Sequence, residues 1–383
     1  MSRKKILIFY DYFLPGFKAG GPVQSLANLI MALQQDYEFI VMTSAYDLGA
    51  AKPYPTIQTN QWNDLAIGNT IIKIWYADKV IDYAAFSKTI RSVLADFVFF
   101  NCIYSYRFFL YPLLHKNKLF SRNTKFINSP RGILQPGSFA VKGGKKKLYL
   151  YLLKKSGLLR NCFWHATGIE ESMAIKKKIG NKASIKIISN IPKVPLKVLQ
   201  IAKKQESILR LVHLSLITPV KNIKILILVL SNCKETISLD IYGPIKDESY
   251  WQGCKDAMLL LPPNVSVVFK GDLQPTEVQK TLQQYDSLIL LTAGENFGHA
   301  LFESLSVGRP IITSYFTPWN NLESQNAGWN VDIQRPETIT TLLDHLAKID
   351  NQIWQRYCGG AHQLAVNFFH QQDFVKSYQY LFS

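Results

Sequence analysis

The chain has 383 residues, 48% of them hydrophobic, and its 44 Lys and Arg residues against 27 Asp and Glu residues give a formal net charge of +17. The length exceeds what one hydrophobic core usually serves, so we expect two domains, and the basic excess favours acidic partners. Five scattered cysteines exclude a disulfide framework and a zinc site, and apolar runs of about six residues exclude a transmembrane helix.

The first half of the chain alternates apolar strands with helical patterns. Its N-terminal apolar run meets Asp11 after five residues, too early for a signal peptide, so a first strand and a cytoplasmic protein are predicted. Strands are predicted at 5–10, 38–43, 70–76, 97–100, 125–128, 162–167 and 184–189, with helices at 22–33, 82–94 and 169–179. Region 45–69 shows no period and is predicted to be irregular. The alternation predicts a doubly wound parallel sheet over 1–190.

A second alternating series follows a linker. Residues 191–206 contain two prolines and no period, which is typical of an interdomain connection. Strands are predicted at 208–214, 237–242, 265–270, 287–291 and 311–314, and helices at 220–232, 248–258, 275–284 and 297–307. The fold prediction is α/β with two Rossmann-like domains, 1–190 and 207–360, followed by a helical tail at 361–383. Ligands of such sheets bind at the carboxyl ends of the strands.

The stretch 286–314 places two carboxylates between strands. The predicted helix begins near Phe297, so Glu295 faces its start and Glu303 lies two turns into it. The first turn of a helix binds phosphate, and carboxylates accept hydrogen bonds from sugar hydroxyls. This combination predicts a ligand with a phosphate and two polyol parts, a nucleotide sugar. The alternative is that both glutamates are solvated surface residues.

Two neighbours of these carboxylates strengthen the prediction. Gly298 would let a bulky anion approach the backbone. His299 lies four residues before Glu303 on the same helix face and could contact phosphate or sugar.

At these residues the chain resembles a known family. The residues that match are Glu295, Asn296, Phe297, Gly298, Glu303, Gly308, Pro310, Thr317 and Pro318. They resemble the Glu-x7-Glu signature of retaining GT-B-fold glycosyltransferases, group 1 or glycosyltransferase family 4. The resemblance covers nearly the whole chain and is strongest over 208–332. It implies two domains facing across a cleft, an acceptor-side domain at 1–190, a nucleotide-sugar domain at 207–360, and a last helix within 361–383 that packs back on the first domain.

The resemblance also implies roles for single residues. Glu303 would bind the ribose hydroxyls and Glu295 the donor sugar hydroxyls, while the amides near Asn296–His299, which include those of Phe297 and Gly298, would hold the diphosphate. The segment with Lys270 and Gly271 would bind the nucleotide base, largely through its backbone; a plain turn is the alternative. No side chain stands out as a nucleophile, so front-face attack by the acceptor is implied.

Lys221 is the expected cation of the diphosphate site. Pro219 could open a helix with Lys221 in its first turn, where an ammonium group beside helix N–H groups would neutralise a diphosphate. A solvated surface lysine is the alternative. The family normally carries an Arg five residues earlier, where this chain has Leu216, so the diphosphate loses one expected cation.

The N-terminal half offers two further candidates after strands. Gly20 and Gly21 precede a helix that starts with Pro22, and such a loop can contact a phosphate or an acceptor; tight-turn packing is the alternative. The loop lacks the Gly-x-Gly-x-x-Gly fingerprint, so NAD is not inferred. Arg131 could hold a phosphate or a sugar hydroxyl, or form a structural salt bridge. His165, like Asn190, is interpreted first as a satisfied core residue.

Segment 142–160 concentrates positive charge. Its leucines and tyrosines alternate with lysines, and a basic amphipathic helix of this kind can rest on an anionic membrane surface. An ordinary surface helix with its apolar side in the core is equally consistent. No motif for binding nucleic acid accompanies the charge.

The resemblance implies a metal-independent, retaining glycosyltransferase, which we expect in the cytoplasm, where the basic segment could hold it peripherally at the inner membrane surface. It would move a sugar from a nucleotide diphosphate sugar to a saccharide or lipid-linked hydroxyl acceptor, in bacterial surface polysaccharide synthesis, with no cofactor besides the donor. No Asp-x-Asp metal motif is present. The alternatives are a nucleotide-sugar 2-epimerase of the same fold and a non-catalytic nucleotide-binding scaffold, the latter motivated by Leu216. A purely basic membrane-binding or nucleic-acid-binding module would not need Glu295 and Glu303.

Overall fold

A computed structural model describes residues 3–135, 143–197 and 203–383 of the chain. The chain divides into two compact units, Met1–Ile191 with Asp373–Ser383, and Pro192–Gln372. Each unit contains one sheet of mainly parallel strands with helices around it. The prediction of an α/β fold with two Rossmann-like domains is therefore confirmed.

The described part of the first unit contains an eight-stranded sheet in the order β3-β4-β2-β1-β5-β6-β7-β8. Its strands are β1 Lys4–Phe9, β2 Tyr37–Ser44, β3 Trp62–Ile67, β4 Thr70–Ala77, β5 Phe97–Phe100, β6 Lys125–Asn128, β7 Cys162–Ala166 and β8 Ile185–Ile187. Only the β3–β4 pair among these is antiparallel. The central strands are continuous apolar runs because helices cover both faces of a parallel sheet.

All but one of the helices described in the first unit come between its strands along the chain, and the last one is at the C terminus. They are α1 Gly21–Leu33, α2 Tyr83–Val93, α3 Tyr111–Leu114, α4 Lys116–Leu119, α5 Gly143–Lys155, α6 Ile169–Ile179 and, at the C terminus, α13 Phe374–Leu381. A π-helical turn, Tyr106–Leu110, precedes α3. Helix α13 belongs to this unit because Tyr378 is fully buried and the Phe382 ring after it contacts those of Tyr37 and Phe97.

The prediction that 45–69 is irregular was wrong for residues 62–67. These form β3, which pairs with β4 through a tight turn in which Ile67 faces Thr70. Gly68 adopts a φ of 58° in this turn. The strand escaped prediction because it lies at the sheet edge with a single buried residue, Ile67, and its sequence lacks the apolar alternation that marks a half-buried strand.

The described part of the second unit contains a six-stranded parallel sheet in the order β11-β10-β9-β12-β13-β14. Its strands are β9 Ile208–Leu214, β10 Thr236–Tyr242, β11 Val265–Gly271, β12 Ser287–Leu290, β13 Ile311–Ser314 and β14 Gly328–Val331. Its helices are α7 Ile223–Leu230, α8 Glu248–Met258, α9 Val278–Leu282, α10 His299–Ser306, α11 Pro336–Lys348 and α12 Asn351–Gln371. Strand β14 and helix α11 had not been predicted.

Two predicted segments cross the limits of the described structure or of the units. Residues 198–202 of the predicted linker and 136–142, which include the start of segment 142–160, lie outside the described residues. Of the predicted helical tail, Asp373–Ser383 groups with the first unit and the residues up to Gln372 group with the second. No helix in the described ranges is long and apolar enough to cross a bilayer.

Candidate active site

Three loops of the second unit are joined at the carboxyl ends of their strands. The amide of Ala293 donates to the Val220 carbonyl (2.8 Å), and the Asn222 side-chain amide donates to the Leu291 carbonyl (2.7 Å). The amide of Glu295 donates to the Phe316 carbonyl (3.0 Å). These bonds fix the loops after β9, β12 and β13 against one another, at the sheet edge where parallel sheets bind ligands.

Lys221 and Glu295 form an ion pair in this cluster. Their side chains are 15% and 21% exposed, and the Lys221 ammonium group also donates a hydrogen bond to the carboxylate. Pro219 opens a helical turn with Lys221 in it, as predicted, but this is a short 3-10 turn, Pro219–Lys221. Asn222 in the left-handed region separates it from α7, so the helix predicted over 220–232 begins only at Ile223. The structure thus pairs two residues that were predicted for different parts of the donor.

Gly298 sets the start of helix α10. Its φ of 79° is left-handed, and a Cβ atom there would lie 2.8 Å from Leu301 Cδ1 and 3.1 Å from Glu295 Cγ. The N-cap residue is this glycine, which has no side chain to cap the helix, and the amides of a first helical turn, such as that of Ala300, are suited to binding an anion. The helix begins at His299 rather than at Phe297, so Glu303 lies one turn into it and not two.

Of the residues beside Gly298, Phe297 packs in the core and His299 is the first residue of α10. The Phe297 ring is 5% exposed and packs against Trp319, whose indole N–H donates to the Phe297 carbonyl (2.7 Å). Its side chain therefore belongs to the core of the second unit. The His299 ring lies 4.8 Å from the Phe297 ring, and Asn296 precedes it on the loop.

Glu303 is a buried ionisable group of the second unit. It is 7% exposed, and the described part of the structure offers its carboxylate no hydrogen bond and no ion pair. Burial raises the pKa of Glu303 to about 7 from its ordinary 4.5, and the Lys193 ammonium group opposes part of this rise. A buried carboxyl group without a partner is costly, and such groups cluster at functional sites.

Lys193 was missed by the sequence analysis. It lies in the predicted linker, and its ammonium group donates to the Pro275 carbonyl (3.4 Å) while acting electrostatically on Glu303. A single lysine between two prolines gave no signal, because its approach to Glu303 depends on how the linker runs past α10.

His213 supports the loop that carries Leu216. It is fully buried, its Nδ1 donates to the Ile289 carbonyl (3.0 Å), and its Nε2 lies 2.7 Å from the Ser215 hydroxyl. Burial lowers the pKa of His213 to about 4, so the ring is neutral at pH 7. The sequence analysis did not single it out, because a histidine in an apolar strand resembles any core residue.

The side chain of Lys270 faces a carboxylate. Its ammonium group lies 3.5 Å from Asp240, which also accepts a hydrogen bond from the Tyr285 hydroxyl (2.7 Å). The Gly271 carbonyl accepts from the Gly243 amide (2.9 Å). The Lys270 side chain is thus paired within the unit, and recognition of the base through the backbone of this segment stays a prediction.

In the first unit, Arg131 is held by two asparagines. Its guanidinium donates to Asn101 Oδ1 through Nε (2.9 Å) and Nη2 (2.7 Å), and to Asn190 Oδ1 through Nη1 (2.5 Å). It also interacts with the Tyr378 hydroxyl on α13. Through these contacts Arg131 links the residues that follow β5 and β8 to the C-terminal helix.

The other candidates of the first unit are His165 and the glycine pair before α1. His165 is fully buried between the Ser129 hydroxyl (3.0 Å) and the Ile188 carbonyl (2.8 Å), and burial lowers its pKa to about 3. It is a satisfied core residue, as first interpreted. Gly20, with a φ of 75°, precedes Gly21 at the start of α1, and a Cβ atom on Gly20 would meet nothing within 4 Å.

The described ranges contain no group of three His, Cys, Asp or Glu side chains close enough to hold a metal ion. The candidate site of the second unit comprises the ion pair of Lys221 and Glu295, the N terminus of α10 and the buried carboxyl group of Glu303.

Comparisons with known proteins bear on this site. Residues 197–352 match the family model of glycosyl transferases group 1, which covers the loops described above. No curated protein sequence matches the chain. The family match supports a glycosyltransferase.

Solved structures resemble the chain over nearly its whole length. HepE from Anabaena, in complex with UDP and glucose, has a TM-score of 0.71 at 14% identity, with 99% of this chain and 98% of that chain covered. Sucrose-phosphate synthase from Thermosynechococcus elongatus has a TM-score of 0.75 at 11% identity, with 99% and 98% covered. A TarM variant from S. aureus, in complex with fondaparinux, alpha-GlcNAc-glycerol and UDP, has a TM-score of 0.69 at 13% identity, with 99% and 100% covered. These likenesses show the GT-B fold.

Proposed function

We propose that this chain, whose residues 197–352 match the group 1 glycosyltransferases, moves a sugar from a nucleotide diphosphate sugar to a hydroxyl acceptor. The observation that carries the proposal is Glu303, a buried carboxyl group one turn into α10 that accepts no hydrogen bond from the described residues. Ribose hydroxyls are donors of the right kind to satisfy it. A group that is costly to bury is retained where a ligand completes it.

The remaining groups fit the other parts of such a donor. The amides at the start of α10 and the Lys221 ammonium group are suited to a diphosphate, which carries the charge of the leaving group. Glu295 can accept hydrogen bonds from the transferred sugar. Stabilising the leaving group is the main catalytic contribution that we assign, and one such contact is worth roughly 3–4 kcal/mol in other systems.

The finer parts of the proposal rest on the family resemblance. We assign no nucleophile, and propose a retaining reaction in which the acceptor attacks from the leaving-group side and the departing phosphate takes its proton. We propose that the reaction needs neither a metal ion nor a cofactor, and that it occurs in the cytoplasm on a saccharide or lipid-linked acceptor for surface polysaccharide. HepE and TarM were solved with UDP, so uridine is the first base to test.

Two measurements test the proposal. Calorimetry against UDP, GDP and ADP and their sugars should show binding of one series, which Glu303→Ala weakens. NMR of the product should show transfer with the anomeric configuration of the donor retained. Release of a free sugar without an acceptor would indicate an epimerase, and tight binding without any turnover would indicate a scaffold. Equal affinity of the parent and the Glu303→Ala variant would contradict the assigned site.

A further inference from the structure

Helix α5 carries two apolar faces, and only one of them is buried. Leu150 and Leu153 are 4% and 3% exposed and belong to the core of the first unit. Leu148, Tyr151 and Leu152 are 61%, 57% and 57% exposed. Their spacing of three and four residues places them on one side of the helix. One apolar face of α5 therefore packs in the core, as in an ordinary surface helix, and the second apolar face is exposed.

Lysines surround the exposed apolar face. Lys145, Lys147, Lys154 and Lys155 are exposed on α5, and the Lys155 ammonium group lies 5.8 Å from the centre of the Tyr151 ring. Near the C-terminal end of α5, Lys116 of α4 donates to the Leu158 carbonyl (3.2 Å), which places α4 and its exposed Lys118 beside this surface.

The segment that contains α4 and α5 has many basic residues and no acidic residue. Residues 97–169 contain thirteen Lys and Arg residues and neither Asp nor Glu. The segment therefore supplies most of the excess of 17 positive charges, and it includes both α4 and α5. An even distribution of lysines would only keep the protein in solution, whereas a segment without acids builds a positive surface.

We propose that the outward face of α5 docks on an anionic lipid bilayer, with Leu148, Tyr151 and Leu152 at the boundary between headgroups and acyl chains. Charge complementarity selects the partner, because lysines beside an anionic bilayer each strengthen binding about fivefold. Apolar side chains ringed by lysines are the pattern of helices that lie in a membrane interface. The docking does not depend on the transferase reaction, although under the proposed function it would bring the chain to a lipid-linked acceptor.

Vesicle sedimentation tests the inference on the full chain. The protein should bind vesicles that contain phosphatidylglycerol and not those of phosphatidylcholine alone, and high salt should release it. The double variant K154Q/K155Q should bind about 25-fold more weakly, and L148S/L152S about tenfold more weakly. Equal binding to both kinds of vesicle, or no binding to either, would overturn the proposal.

Matched controls separate this surface from general charge and apolarity. K176Q/K177Q removes two exposed lysines from α6, and L259S/L260S removes two exposed leucines from the second unit, where they are 84% and 66% exposed. Both should bind vesicles as the parent does. A loss in either control as large as in the α5 variants would refute the assignment to α5.

Insertion can be followed without relying on affinity. All five cysteines are buried, so L152C offers a single accessible thiol for an environment-sensitive dye. Its emission should shift to the blue with anionic vesicles, whereas the L259C label should not respond. If the surface bound RNA instead, vesicles would not shift the emission of the L152C label. The L148S/L152S variant would then bind RNA as tightly as the parent does. UDP calorimetry on the same variants should be unchanged, so this docking and the donor site fail or succeed separately.

Discussion

Replacing Glu303 with Gln should stabilise the second unit in a pH-dependent way. The pKa of Glu303 is raised by burial from 4.5 to about 7, so the folded state resists ionisation more than the unfolded chain does. Below about pH 4.5 the group is protonated in both states and costs nothing by ionisation. As the pH rises through 7, the folded protein must either keep the proton or bury the charge, and stability is lost.

The magnitude follows from the two pKa values. The difference between about 7 and 4.5, at 1.36 kcal/mol for each pH unit, gives about 3 kcal/mol as the upper limit of the loss by pH 8. Gln cannot ionise, so the Glu303→Gln variant does not lose this stability. The difference in free energy of unfolding between the variant and the parent should therefore grow by about 2–3 kcal/mol from pH 5 to pH 8.

Urea unfolding at several pH values, followed by a probe of the second unit, measures this difference. Glu323→Gln is the matched control, because Glu323 is exposed in the same unit and its replacement should change the unfolding free energy by the same small amount at each pH. A difference between Glu303→Gln and the parent that does not change from pH 5 to pH 8 would show that Glu303 is not held in a costly, charge-excluding environment.

The same group should couple nucleotide binding to proton release. Ribose hydroxyls that donate to the carboxylate favour its charged form and lower the pKa of Glu303 in the complex. At pH 7 the free protein holds the proton in about half of its molecules, so binding should release up to about half a proton. Calorimetry in buffers of different ionisation enthalpy measures it. Proton uptake, or equal release by Glu303→Gln, would place the nucleotide elsewhere.

Three further variants test the groups around α10. Lys221→Ala should weaken UDP binding about 10- to 100-fold in calorimetry, because a charge-assisted contact is lost and Glu295 stays unpaired; unchanged affinity would remove Lys221 from the phosphate site. Leu216→Arg should tighten UDP binding about tenfold by restoring the missing cation, and no gain would argue for a donor held differently. Gly298→Ala should lower the free energy of unfolding by about 1–2 kcal/mol, since alanine is strained at a φ of 79°, and an unaltered urea midpoint would contradict the observed turn.

The sequence was sufficient for whatever depends on local pattern. Glu295 and Glu303 were placed on a loop and on the following helix, because buried strands and the Gly308 and Pro310 stop signals bracket that helix. The start of α10 was misplaced by two residues because Phe297 looks like the first apolar helix position, whereas it packs on Trp319 outside the helix. Helix boundaries are set by such tertiary contacts as much as by propensity.

Contacts between distant residues could not be predicted. The pairing of Lys221 with Glu295 joins residues 74 positions apart, and nothing local to either one encodes it. Lys193 reaches Glu303 only because the linker returns to the second unit. The two apolar faces of α5 could not be separated either, since its leucines and tyrosines fill both sides of the helix and only the core decides which side is covered.

The ion pair between Lys221 and Glu295 makes recognition of phosphate and sugar interdependent. A nucleoside diphosphate without a sugar must draw the Lys221 ammonium group towards itself, which leaves the Glu295 carboxylate beside a second anion. A nucleotide sugar brings hydroxyl donors for that carboxylate at the same time. The parent should therefore bind UDP-sugar more tightly than UDP if uridine is the base.

Glu295→Gln should reverse this preference. Removing the charge frees Lys221 for the phosphates and ends the repulsion, which is worth roughly 1 kcal/mol for a partly exposed pair, or about fivefold tighter UDP binding. The same change replaces a strong acceptor by a weaker one, so UDP-sugar should bind less tightly and turn over more slowly. Calorimetry with both ligands decides the matter. If the two affinities fell by the same factor, the pair would be a support for the loops and not a part of donor recognition, because only contact with the sugar distinguishes one ligand from the other.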